Sequence, residues 1–204
     1  WLLLMQLYLK KPVGIKPMYS KAMVDLALEI HIAPQILFKK MCEIANMETP
    51  RIERIWQEYS KNPSRLKRAV RLWRQMRGFG NNLFYEGVDI QETFERDFKP
   101  VAEGTMMTPV ILTLILDLYF RLTPITMVPK TPEVQELARL IKVKPTEITE
   151  VMEVFQHCDP YLNRKDKTDS LLAAPCHEIW RRYGNAETEQ LASYAEQLKE
   201  YFRS

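Results

Sequence analysis

Cysteine is scarce, with three in 204 residues (Cys42, Cys158 and Cys176), too few and too irregularly spaced for a disulfide framework. Free thiols fit a reducing compartment, so a cytoplasmic protein is expected. Histidine is equally scarce, and the three histidines are scattered. Nucleophile–base pairs therefore find no partners, and no catalytic residue is expected. Long apolar runs are missing as well. The most apolar stretch, Pro109 to Leu122, contains Asp117 and Arg121 and is too short to span a bilayer. Trp1 to Leu9 lacks a charged region before it and a small-residue cleavage site after it, so it does not read as a signal peptide. Gly78-x-Gly80 lacks the third glycine and the lysine of a phosphate-cradling loop, and reads as a helix stop.

Metal chemistry has one place to look, His157-Cys158-Asp159 with Cys176-His177. Side chains adjacent in sequence rarely point at one ion, and these separations match no zinc spacing. Neither metal nor cofactor is expected. What remains is ordinary globular composition, 46% hydrophobic and 27% charged, which excludes global disorder.

A repeat organises the chain. Leu26 to Met41 laid over Leu137 to Met152, an offset of 111, matches at Leu26/Leu137, Ala27/Ala138, Ile30/Ile141, Pro34/Pro145 and Met41/Met152. Roughly one identity would come from composition alone. Leu7-Tyr8 returns as Leu118-Tyr119 at the same offset, and Ile55-Trp56-x-x-Tyr59 returns as Ile179-Trp180-x-x-Tyr183 at an offset of 124. Two copies of about 95 residues follow, each just large enough to bury its own core. The expected organisation is a basic repeat over 1–98, a linker over 99–107 and an acidic repeat over 108–204.

Both copies read as helical. Trp1 to Leu9 alone fits helix or strand, but its counterpart begins Thr108-Pro109, an N-cap followed by a first-turn proline. Ser20 and Thr131 are the next expected caps. Their helices end at Ile30 and Ile141, and a tight connection leads to Pro34 or Pro145, opening another helix. Two short helices across a tight turn form a helix-turn-helix pattern. A small residue at the crossing, an apolar residue in the turn and one in the second helix would fill the angle: Ala27, Ile32 and Leu37, or Ala138, Val143 and Ile148. Where glycine is usual in the turn, the chain has His31 and Lys142. The fold expected is all-α, two tandem helix-turn-helix-like domains. Helices over Arg65 to Arg77, Asp89 to Phe98 and Ala186 to Phe202 complete it.

Charge separates the copies. Residues 1 to 100 carry 17 Lys/Arg against 11 Asp/Glu, a balance of +6; residues 101 to 204 carry 12 against 15, a balance of −3. No acid interrupts the seven cations from Lys61 to Arg77. On a helix Leu66, Ala69, Val70, Trp73 and Met76 share an arc of about 120°, with Lys67, Arg68, Arg71 and Arg74 opposite. A solvated face is the plain reading. Against it, seven like charges repel one another unless a polyanion offsets them, and they lie one helix from the candidate helix-turn-helix. The first copy's second helix exposes Gln35, Lys39 and Lys40, able to contact base edges and phosphates. In the second copy Thr146, Glu147 and Glu150 stand there, and carboxylates oppose phosphates.

The expected DNA-binding residues are thus Gln35, Lys39, Lys40, Arg65, Lys67, Arg68, Arg71 and Arg74. The expected function is a non-enzymatic DNA-binding or regulatory protein whose first repeat contacts double-stranded DNA, without a membrane partner. The second repeat would serve as support, self-association interface or protein-binding surface. The alternative is a helical protein-interaction scaffold that binds no nucleic acid.

The second copy, LDLYFRLTPITMVPKTPEVQELARLIKVKPTEITEVMEVFQHCDP from Leu116 to Pro160 followed by EIWRRY at Glu178 to Tyr183, resembles the helical N-terminal region of bacterial HNH-type restriction endonucleases. Thr131-Pro132-Glu133, Leu137 to Ile141, Pro145 and Asp159-Pro160 stand at the matching places; the first copy keeps Leu7-Tyr8-x-Lys10, Leu26 to Ile30 and Pro34. The resemblance implies a DNA-associated helical module; a bacterial protein concerned with transcription regulation is the expected class. No His-Asn-His metal site follows, so nuclease activity is not carried over.

Overall fold

The structure is a computed structural model that describes residues 1–76, 78, 79, 94–162, 164 and 170–203. All regular secondary structure among the described residues is helical, with no strand among them. The chain divides into two compact units, Trp1–Ile90 and Gln91–Arg203. Residues 99–107, expected as the linker, fall in the second.

The first unit contains α1 (Leu2–Leu9), α2 (Lys21–Ile30), α3 (Pro34–Asn46), α4 (Pro50–Tyr59) and α5 (Pro63–Arg74). Proline is the first residue of α3, α4 and α5, where its fixed φ suits the helix and its missing N–H goes unmissed. Asn62-Pro63 therefore starts α5 as well as ending α4. Thr49 Oγ1 accepts the N–H of Ile52 at 3.3 Å and caps α4. Ser20 occupies the N-cap position of α2, yet its hydroxyl makes no cap hydrogen bond and is buried without a partner. The core gathers on α1, which packs against α2, α3 and α5. Leu4 and Met5 of α1, Met23 and Ala27 of α2, Leu37 and Met41 of α3, and Leu66 and Val70 of α5 are all buried. Tyr8 stands edge-on to Trp56, with centroids 5.8 Å apart and planes at 77°.

The second unit opens with a 3-10 turn, Phe94–Phe98, and continues through α6 (Pro109–Arg121), α7 (Pro132–Ile141), α8 (Pro145–Cys158), α9 (Ala173–Ile179), a π turn over Trp180–Gly184, and α10 (Thr188–Lys199). Of the helix expected over Asp89 to Phe98, residues 89–93 lie outside the described residues, and Gly80 to Asn82 of the expected stop do too. Thr108 Oγ1 caps α6 by accepting the N–H of Ile111 at 3.2 Å. Thr131 stands at the N-cap of α7 but donates its hydroxyl to the carbonyl of Thr126 instead. Every residue of α6 from Pro109 to Tyr119 is buried, which α7, α8, α9, α10 and the 3-10 turn achieve by packing around it. Asp117 tolerates that burial by pairing with Arg121 at 2.7 Å. Tyr119 stands edge-on to Trp180 at 5.9 Å and 76°, and its hydroxyl donates to Asp159 Oδ2 at 2.8 Å. Burial, then that hydrogen bond, push the Tyr119 phenol well above its ordinary range.

The connections between α2 and α3, and between α7 and α8, solve the missing-glycine problem by accepting strain. His31 has φ 56° and ψ 39°, and Lys142 has φ 58° and ψ 42°, both left-handed. The N–H groups of His31 and Ile32 both reach the carbonyl of Ala27; those of Lys142 and Val143 reach Ala138. These bonds satisfy helix-end carbonyls and hold residues with a Cβ where glycine is easier. Lys142→Gly should accordingly raise the stability of the second unit by about 0.5–1 kcal/mol, read as a higher denaturant midpoint, whereas Lys142→Ala should not. Ala27, Leu37, Ala138 and Ile148 are buried as the pattern requires. Ile32 is not: it is 37% exposed, on the rim of a groove with Leu3, Leu4 and Ile36, and Val143 at the matching place is half-buried.

Candidate nucleic-acid interface

Helix α5 carries the densest positive charge, and its fixing to the first unit decides which charges face solvent. Leu66 and Val70 are 3% and 1% exposed and hold the first two turns against α1. Lys67, Arg68 and Arg71 consequently point away, are exposed, and enter no ion pair with another described residue. At 100° per residue they span about 100° of the helix, and from Lys67 to Arg74 the helix rises about 10 Å, the length of roughly three phosphates of one DNA strand.

The other two arginines are engaged. Arg74 grips Glu29 at the end of α2 through Nε at 2.5 Å and Nη2 at 2.8 Å, a bidentate clamp that raises the arginine's affinity for its proton still further. Arg65 reaches Glu58 at 2.6 Å across the α4–α5 junction and stacks 5.6 Å from the ring of Tyr59. Both pairs are solvent-exposed, so each is worth no more than about 1 kcal/mol, yet each leaves its arginine largely neutralised.

On α3, Gln35 Nε2 donates to the Tyr19 hydroxyl at 2.7 Å. Lys40 lies 3.0 Å from both oxygens of Glu43 and 5.2 Å over the ring of Trp1. Lys39 is exposed. Helix α1 packs against both α3 and α5. Leu3 lines two grooves, one toward Lys40 and one of about 740 Å³ whose rim bears Lys10, Lys67 and Arg74 together with Asp25 and Glu29. The eight expected contacts thus separate into four cations without an ion pair to another described residue, Lys39, Lys67, Arg68 and Arg71, and four side chains with intramolecular partners.

No protein-family model, no curated protein and no solved structure matches the chain.

Sequence periodicity missed two features. Glu29 neutralises an arginine 45 residues away, a pairing that only the approach of α2 to α5 creates. And the expected apolar arc of α5 is half used: Trp73 is 49% and Met76 54% exposed, with Leu72 beside them at 53%. The arc is buried at Leu66 and Val70 and exposed from Trp73 onward. Helix α5 ends at Arg74, short of the expected stop at Gly78, which has φ 87°; Arg77 lies outside the described residues.

In the second unit Thr146 and Glu150 are exposed and Glu147 accepts the N–H of Lys144 at 2.8 Å, so one carboxylate serves as a cap. The cluster at the end of α8 disperses: His157 meets the carbonyl of Glu153, Cys158 that of Val154, and Asp159 accepts from Tyr119. Burial pushes the Cys158 thiol up to about 11 and the Cys176 thiol up to about 12. Neutral thiols are poor ligands and nucleophiles. Among the described residues no three His, Cys, Asp or Glu side chains are placed to hold a metal ion, and no helix is long and apolar enough to cross a membrane.

Proposed function

We propose that the chain is a duplicated pair of helix-turn-helix-like units acting as a non-enzymatic DNA-binding regulator, and that the first unit holds double-stranded DNA through the phosphate backbone. The observation carrying this reading is the row Lys67, Arg68 and Arg71, exposed on a helix without an acidic residue. Lys39 adds a cation from α3, while the engaged state of Gln35 and Lys40 favours backbone contacts over reading of base edges.

The duplication is supported element by element. Helices α2 and α7, ten residues each, lie at an offset of 111, as do the left-handed residues His31 and Lys142 and the first residues of α3 and α8. The Tyr8–Trp56 and Tyr119–Trp180 pairs repeat one edge-on geometry. Helices α5 and α10 have twelve residues each at an offset of 125, with Leu66/Leu191 and Val70/Ala195 buried in both. The resemblance to the helical region of HNH-type endonucleases gains a physical sense, since its Leu-Tyr and Asp-Pro segments meet in the Tyr119–Asp159 hydrogen bond. It supports a DNA-associated module.

Three to four phosphate contacts predict that affinity for a mixed-sequence duplex falls by about 100-fold between 50 and 200 mM salt. Fluorescence polarisation of a labelled duplex measures this directly. Absence of binding at 50 mM salt, or binding indifferent to salt, would remove the proposal in favour of the interaction scaffold.

A further inference from the structure

Glu29 stands in the last turn of α2, where a carboxylate faces the negative end of the helix dipole. Its place is unfavourable for a second reason, because it lies against the helix that the proposed function assigns to phosphate. Its partner there is Arg74, which donates to one carboxylate oxygen through Nε at 2.5 Å and to the other through Nη2 at 2.8 Å. The second unit has no such clamp. On the duplication proposed above, Leu140 stands for Glu29 at the offset of 111 and Lys199 for Arg74 at the offset of 125. Lys199 pairs instead with Glu196 of its own helix, at 2.9 Å. A tie between these two helices through an acid and a base is therefore a property of the basic unit and not a requirement of the fold.

The position of Arg74 on α5 gives the clamp a consequence. Arg74 follows Lys67 by seven residues, two turns less about 20°, so both leave the helix on one side. Both also border one groove, together with Glu29. Without Glu29, Arg74 would lengthen the row Lys67, Arg68 and Arg71 by one cation at its C-terminal end. A carboxylate and a phosphate each present two oxygens to the guanidinium fork, so Glu29 fills the fork as a phosphate would. The side chains of Arg74 and Glu29 are 44% and 32% exposed, which lets a phosphate reach the fork only by displacing the carboxylate.

We propose that Glu29 is an autoinhibitory residue of the nucleic-acid interface: by clamping Arg74 it holds α5 one phosphate contact below its capacity. The inference rests on the duplex-binding reading and adds to it what limits the affinity. The ligand it restrains is the phosphate backbone, so the limit applies equally to every base sequence.

The test is a double-mutant cycle on the full chain, read by fluorescence polarisation of a labelled mixed-sequence duplex. Glu29→Gln should tighten binding about fivefold at 50 mM salt and less than twofold at 200 mM, with a salt slope steeper by about one. Adding Arg74→Ala to Glu29→Gln should return both affinity and slope to the parent values. Asp25→Asn removes the same charge from the same helix at an exposed residue without an ion pair to another described residue, and should leave the slope unchanged. Because the clamp is solvent-exposed, Glu29→Gln should melt within about 5 °C of the parent. Unchanged affinity in Glu29→Gln, a gain that survives Arg74→Ala, or an equal gain in Asp25→Asn overturns the inference and leaves duplex binding standing. A larger fall in melting temperature with no gain in affinity does the same, and makes the clamp a tie between helices. The salt needed to elute each variant from immobilised heparin, a sulfated polyanion, separates the two readings. If no variant binds the duplex, an Arg74-dependent rise in that salt for Glu29→Gln retains the autoinhibitory residue and removes duplex DNA as its ligand, whereas no rise removes both.

Discussion

Exchanging Arg68 and Arg71 for glutamate should lower duplex affinity by at least 100-fold at 100 mM salt and reduce the salt slope by about two. Both side chains are exposed and enter no ion pair with another described residue, so their charge is available to phosphate and their loss breaks no ion pair among the described residues. The helix itself is held by Leu66 and Val70, which the substitutions leave alone. The variant should therefore melt where the parent melts, within about 0.5 kcal/mol. Arg74→Ala and Arg65→Ala are the informative comparison. Each arginine already faces a carboxylate, Glu29 or Glu58, so each should cost less than threefold in affinity. Equal losses from all four positions would mean that the ion pairs open on binding and that the two free arginines hold no special place. Unchanged affinity in the double variant would leave α5 an ordinary solvated helix.

Much of this was legible in the sequence, and for identifiable reasons. Helix starts are written locally, in Thr49-Pro50, Thr108-Pro109 and the prolines of α3 and α8, because capping and the φ of proline involve only neighbouring residues. The all-helical class followed from them. The identities between Leu26–Met41 and Leu137–Met152 include Ala27 and Ala138, both buried in the structure. Less legible was anything set by the distance a packed neighbour extends. Trp73 and Met76 lie on the apolar arc of α5, but whether an arc is covered depends on where α1 runs. Which cations are free is hidden for the same reason, since Glu29 stands 45 residues from Arg74. Ser20 and Thr131 show the limit of capping rules: residue type and position were right, yet the Ser20 hydroxyl is left without a partner and that of Thr131 donates to the carbonyl of Thr126.

Trp180→Ala should destabilise the second unit by about 3–5 kcal/mol, and the equivalent Trp56→Ala should cost the first unit only about 1–2 kcal/mol. The two indoles make the same edge-on contact with a tyrosine, so that contact cannot distinguish them. Their surroundings do. Trp180 is 8% exposed, with Phe120 at 5.5 Å and Phe155, itself fully buried, at 6.3 Å; its removal leaves a cavity walled by rings that α6 and α8 hold in place. Trp56 is half-buried, so water fills part of the space it leaves and the cavity penalty shrinks. Against a total stability of roughly 5–15 kcal/mol for a domain, the first loss approaches unfolding and the second does not. Cys176 provides the readout. Its buried thiol, pushed up to about 12, stays neutral and shielded until the unit opens. Labelling by a thiol reagent should accelerate by about 150-fold to 4,000-fold in Trp180→Ala, the same free-energy loss expressed at about 1.4 kcal/mol per decade of open population. A rate within fivefold of the parent would mean that the aromatic cluster around Tyr119 does not hold the second unit together.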